Sequence, residues 1–156
     1  MMLDYIPEDI KPYIIPKIRS GQYYKCLGCS AEYSIDKLLY VCPECNQVLL
    51  IQDKNAKLLQ KIPGKVWQKI FDFRKMLKIP ALKGIYRYHE FIGPGIPLES
   101  IIYLGEGHTP VIEACENLKE IVGLSFFYKN DGQNPSASFK DRGMASAVSS
   151  IKYLID

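Results

Sequence analysis

No apolar run in the chain approaches the ~20 residues of a membrane span, so no spanning helix is expected. The opening MMLDYIPEDIKP lacks the charged-then-apolar pattern of a secretory leader and carries acidic residues early, which points to a cytoplasmic protein. A strong excess of one charge is also missing. The 20 Lys and Arg stand against 17 Asp and Glu, and a net +3 is too small to require a nucleic-acid or membrane partner. Nor is the composition that of a disordered or collagen-like chain, since 47% of residues are hydrophobic and 24% charged. The 156 residues suit one ordinary domain or two small ones. A domain of that size can bury roughly 70% of its unfolded surface.

Four of the five cysteines fall as Cys26-x-x-Cys29 and Cys42-x-x-Cys45, with twelve residues between the pairs. Two intervening residues let both sulfurs of a pair turn toward one point, so each pair makes half of a tetrahedral thiolate cage for zinc. The gap is shorter than the usual ~15–20 but long enough for a strand out and a strand back. Gly28 and Pro43 suit tight knuckle turns. Gln22–Lys25 and Leu38–Val41 are expected as strands entering the knuckles, and Val48–Gln52 as the strand leaving them. Disulfides and a redox CxxC are the alternatives. The first is disfavoured without a secretory leader, and the second needs a surrounding βαβ pattern that is absent. A purely structural zinc, standing in for a small core, is the expected role.

From Lys54 to Gly84 nine Lys or Arg face one acidic residue, Asp72. Val66, Ile70, Phe73 and Leu77 recur at helical spacing, widened by Trp67 and Phe71, between Pro63-Gly64 and Pro80. An amphipathic helix with a solvated lysine face accounts for this better than a basic helix that touches nucleic acid or membrane. Ile92–Leu98 (IGPGIPL) is too turn-rich for helix or central strand and marks a boundary.

The last third holds Leu104–Pro110 (LGEGHTP). Thr109 as cap and Pro110 at the first helical position predict a helix with Val111, Cys115, Leu118 and Val122 inward, ended by Gly123. Cys115 is then a small buried hydrophobe, and His108 has no evident partner. Leu124–Lys129 reads as a strand and Asn130–Ala137 as a loop. A second helix opens at Ser138–Gly143 (SFKDRG), with Ser138 and Asp141 as a capping box. Met144, Val148, Ile151 and Ile155 are its expected buried face, with Ala145 and Ala147 allowing close packing. Strand, loop and helix make half of an α/β unit. Lys140 lies in the first turn, where unpaired N–H groups, Arg142 and Lys129 disfavour an ammonium, as a nucleophilic Schiff-base lysine requires, although position alone favours a solvated surface lysine. The same helix start suits a phosphate or carboxylate.

LGEGHTP followed by YKNDGQNPSASFKDRG (Tyr128–Gly143) resembles threonine synthase, of the fold-type II family of pyridoxal-phosphate enzymes. The resemblance extends upstream through Gly84–Tyr88 (GIYRY) to the CxxC ribbon, from about Tyr23 to the last residue. Two departures stand out: Ala137, where Gly is frequent, and His108, where Asn is common. One methyl at 137 is expected to matter little.

The resemblance implies an α/β fold: an incomplete fold-type II cofactor domain (99–156), preceded by a zinc ribbon (20–53) and a linker with an amphipathic basic helix (54–98). It implies that Lys140 holds pyridoxal 5'-phosphate, with Ser138 and Phe139 beside the cofactor. Lys129 and Arg142 would meet an anionic group of the substrate, and Cys26, Cys29, Cys42 and Cys45 would hold zinc. The implied reaction converts O-phosphohomoserine and water to threonine and phosphate: the γ-phosphate is expelled and water adds at the β carbon. The Gly-rich phosphate loop of such enzymes is not found, so the chain is expected to be an N-terminal part, inactive alone, whose partner is the missing C-terminal part. Another fold-type II dehydratase or β-replacing synthase is the nearer alternative, and a zinc-ribbon binding module the more distant one.

Overall fold

In the computed structural model, which describes residues 5–156, a three-stranded ribbon, a helical middle and a two-stranded hairpin with a terminal helix follow one another along the chain. The first four residues of the opening read above for a leader lie outside the described residues. The ribbon pairs β1 (Gln22–Cys26) antiparallel with β2 (Glu32–Ser34) on one edge and β3 (Leu49–Asp53) on the other, with Tyr24 opposite both Tyr33 and Ile51. The strand expected at Leu38–Val41 does not form. The residues leaving the first knuckle already occupy one edge of β1 and β3 occupies the other, so Leu38–Val41 has no ladder to join. Leu38 and Tyr40 are exposed there.

Helix α1 (Gly64–Met76) follows the predicted stripe. It ends where Leu77 turns extended, ahead of Pro80, whose ring disfavours helical backbone before it. Trp67, Ile70 and Leu77 bury against Ile6, Ile10 and Ile14, a four-residue spacing in the N-terminal segment. Each such side chain contributes roughly 1.5–3 kcal/mol by leaving water. Trp67 and Phe71 stack at 5.6 Å, and Phe91 meets Trp67 edge-on at 5.2 Å. This clamps α2 (His89–Ile92) to α1. Lys57, Lys61, Lys65, Lys69, Lys78 and Lys83 are exposed, as a solvated face requires.

Arg74 is fully buried on the same helix. Its guanidinium donates to the carbonyls of Tyr13, Ile14 and Arg87 and grips both oxygens of Glu90, at 2.8 and 2.5 Å. One side chain thus ties the N-terminal segment, α1 and α2 together. Arg19 does the same for the ribbon, pairing with Asp53 and donating to the Glu90 carbonyl, while its own N–H bonds Pro94.

Beyond Gly93–Pro97, the expected helix at Thr109–Pro110 is replaced by a strand, β4 (Val111–Glu113), paired antiparallel with β5 (Phe127–Lys129). The Pro110 carbonyl accepts the Asn130 N–H at 2.9 Å, so the ladder claims the residue that the helix signal had used. Helix α3 is short, Glu116–Val122, with Cys115 at its cap and exposed rather than buried. Gly123 closes it at φ +71, as expected. Strand β5, the loop after it and α4 follow in the predicted strand–loop–helix order, with β5 paired antiparallel to β4.

Helix α4 (Lys140–Ile155) buries Ala145 and Ser149, not Met144, Ile151 and Ile155, which are exposed; Val148 is half-buried. Ser149 explains the choice of face. Its hydroxyl donates to the Ala145 carbonyl and accepts the Ile102 N–H at 2.9 Å, so the small-residue side rests on the body. The apolar flank is left outward.

Candidate functional site

The four ribbon cysteines converge. Their sulfurs all lie within 4.8 Å of one another, with Cys26–Cys45 at 3.3 Å and Cys29–Cys42 at 3.6 Å. Those separations are far above a 2.05 Å disulfide. They approach the ~3.8 Å edge of a tetrahedron built on Zn–S bonds of about 2.3 Å. The two knuckles share one turn. Cys26 N–H bonds the Ala31 carbonyl and Cys42 N–H bonds the Gln47 carbonyl, and the residue after each second cysteine, Ser30 or Asn46, takes positive φ. Sequence reasoning placed the special turns at Gly28 and Pro43, two and three residues early. Burial raises the Cys42 thiol, but the Tyr33 hydroxyl and the Cys45 and Glu44 N–H groups outweigh it and bring it to about 6. The Ala31 N–H lowers Cys29, but burial and the three neighbouring sulfurs push it up to about 12. Crowded thiols that cannot all ionise without a countercharge are a fitting donor set for a divalent, thiophilic ion.

The second site is assembled from three separated loops. Glu106, buried in LGEGHTP, accepts the Ile85 N–H on one oxygen and the Leu104 N–H on the other, both at 3.0 Å. A Cβ on Gly84 would lie 1.9 Å from that carboxylate, and its φ is +57, so glycine is required there. The GIYRY and LGEG segments are therefore one unit. The next N–H, of Gly107, bonds the Asn134 side chain, which in turn donates to the Asp131 carbonyl. The Asp131 carboxylate takes the Thr109 hydroxyl at 2.7 Å and both terminal nitrogens of Arg142 at 2.6 and 2.9 Å. The Thr109 hydrogen bond, then Arg142, hold the Asp131 carboxyl below the usual range despite desolvation. Lys129 donates to the Thr109 carbonyl at 2.7 Å.

This network fixes the start of α4. Ser138 Oγ accepts the Lys140 N–H at 3.2 Å, as a cap does, while the Asp141 carboxylate reaches back to accept the N–H and hydroxyl of Ser136. The predicted capping box is thus half formed: Ser138 supplies its side, and the return bond of Asp141 goes to Ser136, on the far side of Ala137 at φ +57. Lys140 and Phe139 are exposed beside an open depression lined also by Asp131, Arg142, Gly143 and Met144. The Lys140 amine bonds no described residue, whereas Lys129 and Arg142 are engaged with Thr109 and Asp131. An uncommitted amine next to an open face fits the aldehyde end of pyridoxal phosphate. His108 faces Arg87 at 3.3 Å, and burial followed by Arg87 lowers it from the ordinary histidine range. Its φ of +52 accounts for the kinship with Asn, since both residues tolerate left-handed backbone. Asp131 and Asn134 escaped the sequence reading because in a loop they look like turn formers, Glu106 because it looks like a solvated charge, and Thr109 was read only as a helix cap.

No family model matches the chain. It is 35% identical over 132 residues to threonine synthase of Methanocaldococcus jannaschii, covering 83% of this chain and 29% of that enzyme. It is 31% identical over 134 residues to threonine synthase of Methanosarcina acetivorans, covering 81% and 27%. The chloroplastic threonine synthase 2 of Arabidopsis thaliana is 27% identical over 124 residues, covering 78% and 24%. The chain thus spans less than a third of the length of these relatives. No helix of the described residues is long and apolar enough to cross a membrane. Over four-fifths of its length the chain resembles threonine synthase, and it matches that enzyme as an N-terminal portion of it.

Proposed function

We propose that these residues supply the N-terminal portion of a pyridoxal-phosphate-dependent threonine synthase, a cytoplasmic enzyme that converts O-phosphohomoserine and water to threonine and phosphate. One observation supports this reading above others: the three segments that carry the resemblance, LGEGHTP, NDGQNP and SFKDRG, meet in a single hydrogen-bond network around the first turn of α4. When bound, the cofactor supplies an electron sink for a carbanion. The chain's own contribution is positional and acid–base. Lys140 Nζ is the group that would hold the cofactor, and the same amine would take and return protons at the substrate carbons. Phe139 offers a ring face and Ser138 a hydroxyl beside it. Lys129 and Arg142 are assigned to the anionic end of the substrate, which would have to share their hydrogen bonds with Thr109 and Asp131. The Asp131–Arg142 pair keeps the helix start, and hence Lys140, in one orientation. Cys26, Cys29, Cys42 and Cys45 hold a structural zinc in a unit at 20–53, joined by the 54–98 linker to the cofactor unit at 99–156.

The test fuses this chain to the remaining part of the Methanocaldococcus jannaschii enzyme and follows phosphate release from O-phosphohomoserine. Release that Lys140→Ala abolishes is expected. A Lys140→Ala fusion as active as its parent would refute the assignment of Lys140. Turnover of serine or threonine in place of O-phosphohomoserine would move the chain to a dehydratase-like relative of the same fold type.

A further inference from the structure

Among the described residues, the only side chain outside the four cysteines within hydrogen-bond reach of any of their sulfurs is Tyr33. Its hydroxyl lies 3.1 Å from Cys42 Sγ and 3.1 Å from Glu44 Oε1. The position is set by the ribbon. Tyr33 is the middle residue of β2, opposite Tyr24 of β1, and β2 is the strand that leaves the first knuckle. From there its side chain reaches across to the second knuckle, whose Cys42 is 1% exposed. Tyr33 therefore joins the two half-sites with a contact that neither knuckle turn can make alone.

We infer that Tyr33 is a positioning residue for the metal centre: its hydroxyl donates to the Cys42 thiolate, orients that ligand, and removes part of the charge that four thiolates place on one divalent ion. The inference rests on the proposed metal reading of the four cysteines. The physical need is plain. Four thiolates around a dication leave two negative charges in a partly buried cage, and donors to sulfur are the means of spreading them. Cys26 has backbone donors in Gly28 and Cys29. Cys42 is buried as deeply and adds an O–H from a side chain. A hydroxyl has one proton, and it has two acceptors here. With the thiolate on a metal the proton points to sulfur, while Glu44, exposed at the surface, can turn to water.

The test uses the full chain, stripped of metal and titrated with zinc against a chromogenic chelator, and with cobalt(II) for its spectrum. Tyr33→Phe keeps the ring and removes only the hydroxyl. The expected result is a zinc affinity weaker by about 10- to 100-fold. The sulfur-to-cobalt charge-transfer band should also move to lower energy, because a thiolate without its hydrogen bond is a stronger donor. Glu44→Gln should leave the affinity within threefold of the parent, which separates loss of the donor from loss of a nearby charge. A Tyr33→Phe chain that binds zinc within twofold of the parent, with an unmoved cobalt band, overturns the inference and leaves the metal reading standing. A parent chain that binds neither ion overturns both. Should Tyr33→Phe disturb the ribbon by circular dichroism, the cobalt band of Glu44→Gln still decides: the inference requires it unmoved or shifted to higher energy, and a shift to lower energy refutes it.

Discussion

Replacing Arg74 with Met should be among the most damaging single changes available in this chain. The side chain is fully buried, and it makes five hydrogen bonds: two to the Glu90 carboxylate and three to the carbonyls of Tyr13, Ile14 and Arg87. Met fills much of the volume and satisfies none of them. Breaking a buried pair from one side strands the other charge and costs about 3–5 kcal/mol. Glu90, whose side chain is 13% exposed, can recruit some water, which argues for the lower half of that range. The stranded carbonyls argue for the upper half. A domain of this size has about 5–15 kcal/mol in total, and ~1 kcal/mol moves its melting temperature by about 2–4 °C. Arg74→Met should therefore melt about 10 °C lower and shift the urea midpoint without much change in slope. Adding Glu90→Leu should recover part of the loss, because the stranded charge goes, but not all, because the carbonyls stay bare. The exposed pair Lys69–Asp9 supplies the control, and Lys69→Met should move stability by less than about 1 kcal/mol. An Arg74→Met chain no less stable than Lys69→Met would refute the reasoning.

Other changes follow from the same physics. Ala137→Gly should stabilise the chain by about 0.5–1 kcal/mol in urea unfolding, because Ala is held at φ +57, and the gain outweighs glycine's extra unfolded freedom. A loss of stability would show that the left-handed turn is not formed in solution. Gly84→Ala should destabilise by about 2–4 kcal/mol, from the backbone strain at positive φ and the collision with Glu106, and a neutral result in the same assay would contradict the buried position of that carboxylate. Chelator treatment should release one zinc per chain and abolish amide protection in β1–β3, while α1, whose core is Ile10, Ile14 and Ile70, keeps its own. Burial, before any other cause, holds His89 below its ordinary 6.5, and its Nε2 lies 2.8 Å from the Ile96 carbonyl. A depressed histidine leaves stability intact above about pH 6.5 and removes it as the pH falls below, because the unfolded chain takes the proton first. Thermal melts from pH 7.5 to 5.5 should fall accordingly and fall less in His89→Gln.

The parts of the fold that were legible in the sequence are those whose signals are local. The stripe of α1, the two CxxC knuckles, the strand at Val48–Gln52 and the glycine that ends α3 each depend on residues a few positions apart, and each is where the pattern put it. Arg74 was counted among nine basic residues although it stands four after Ile70, on the apolar stripe. Charge composition gives no weight to a position. Thr109–Pro110 carried a helix signal that a ladder partner fifteen to twenty residues on overrode, as tertiary pairing overrides weak local preference. On α4 the apolar periodicity named the wrong side, because the face that meets the body is chosen by Ser149 and by what lies beneath it. Of the candidate site, the sequence named Lys140 and its neighbours in the chain. It could not name Glu106, Asn134 and Asp131, since their importance comes from loops that meet only after folding.

Those three residues have a bearing on how the segment can be changed or borrowed. The bonds run from Ile85 through Glu106, then from Gly107 through Asn134 and Asp131 to Arg142, and no link in that run joins sequence neighbours of Lys140 alone. The lysine's surroundings are thus inherited as a set. A designer who moved SFKDRG into another scaffold would carry over the letters and lose the bearing of the helix, whereas a graft that took GIYRY, LGEGHTP and NDGQNP along with it would keep the whole frame in register.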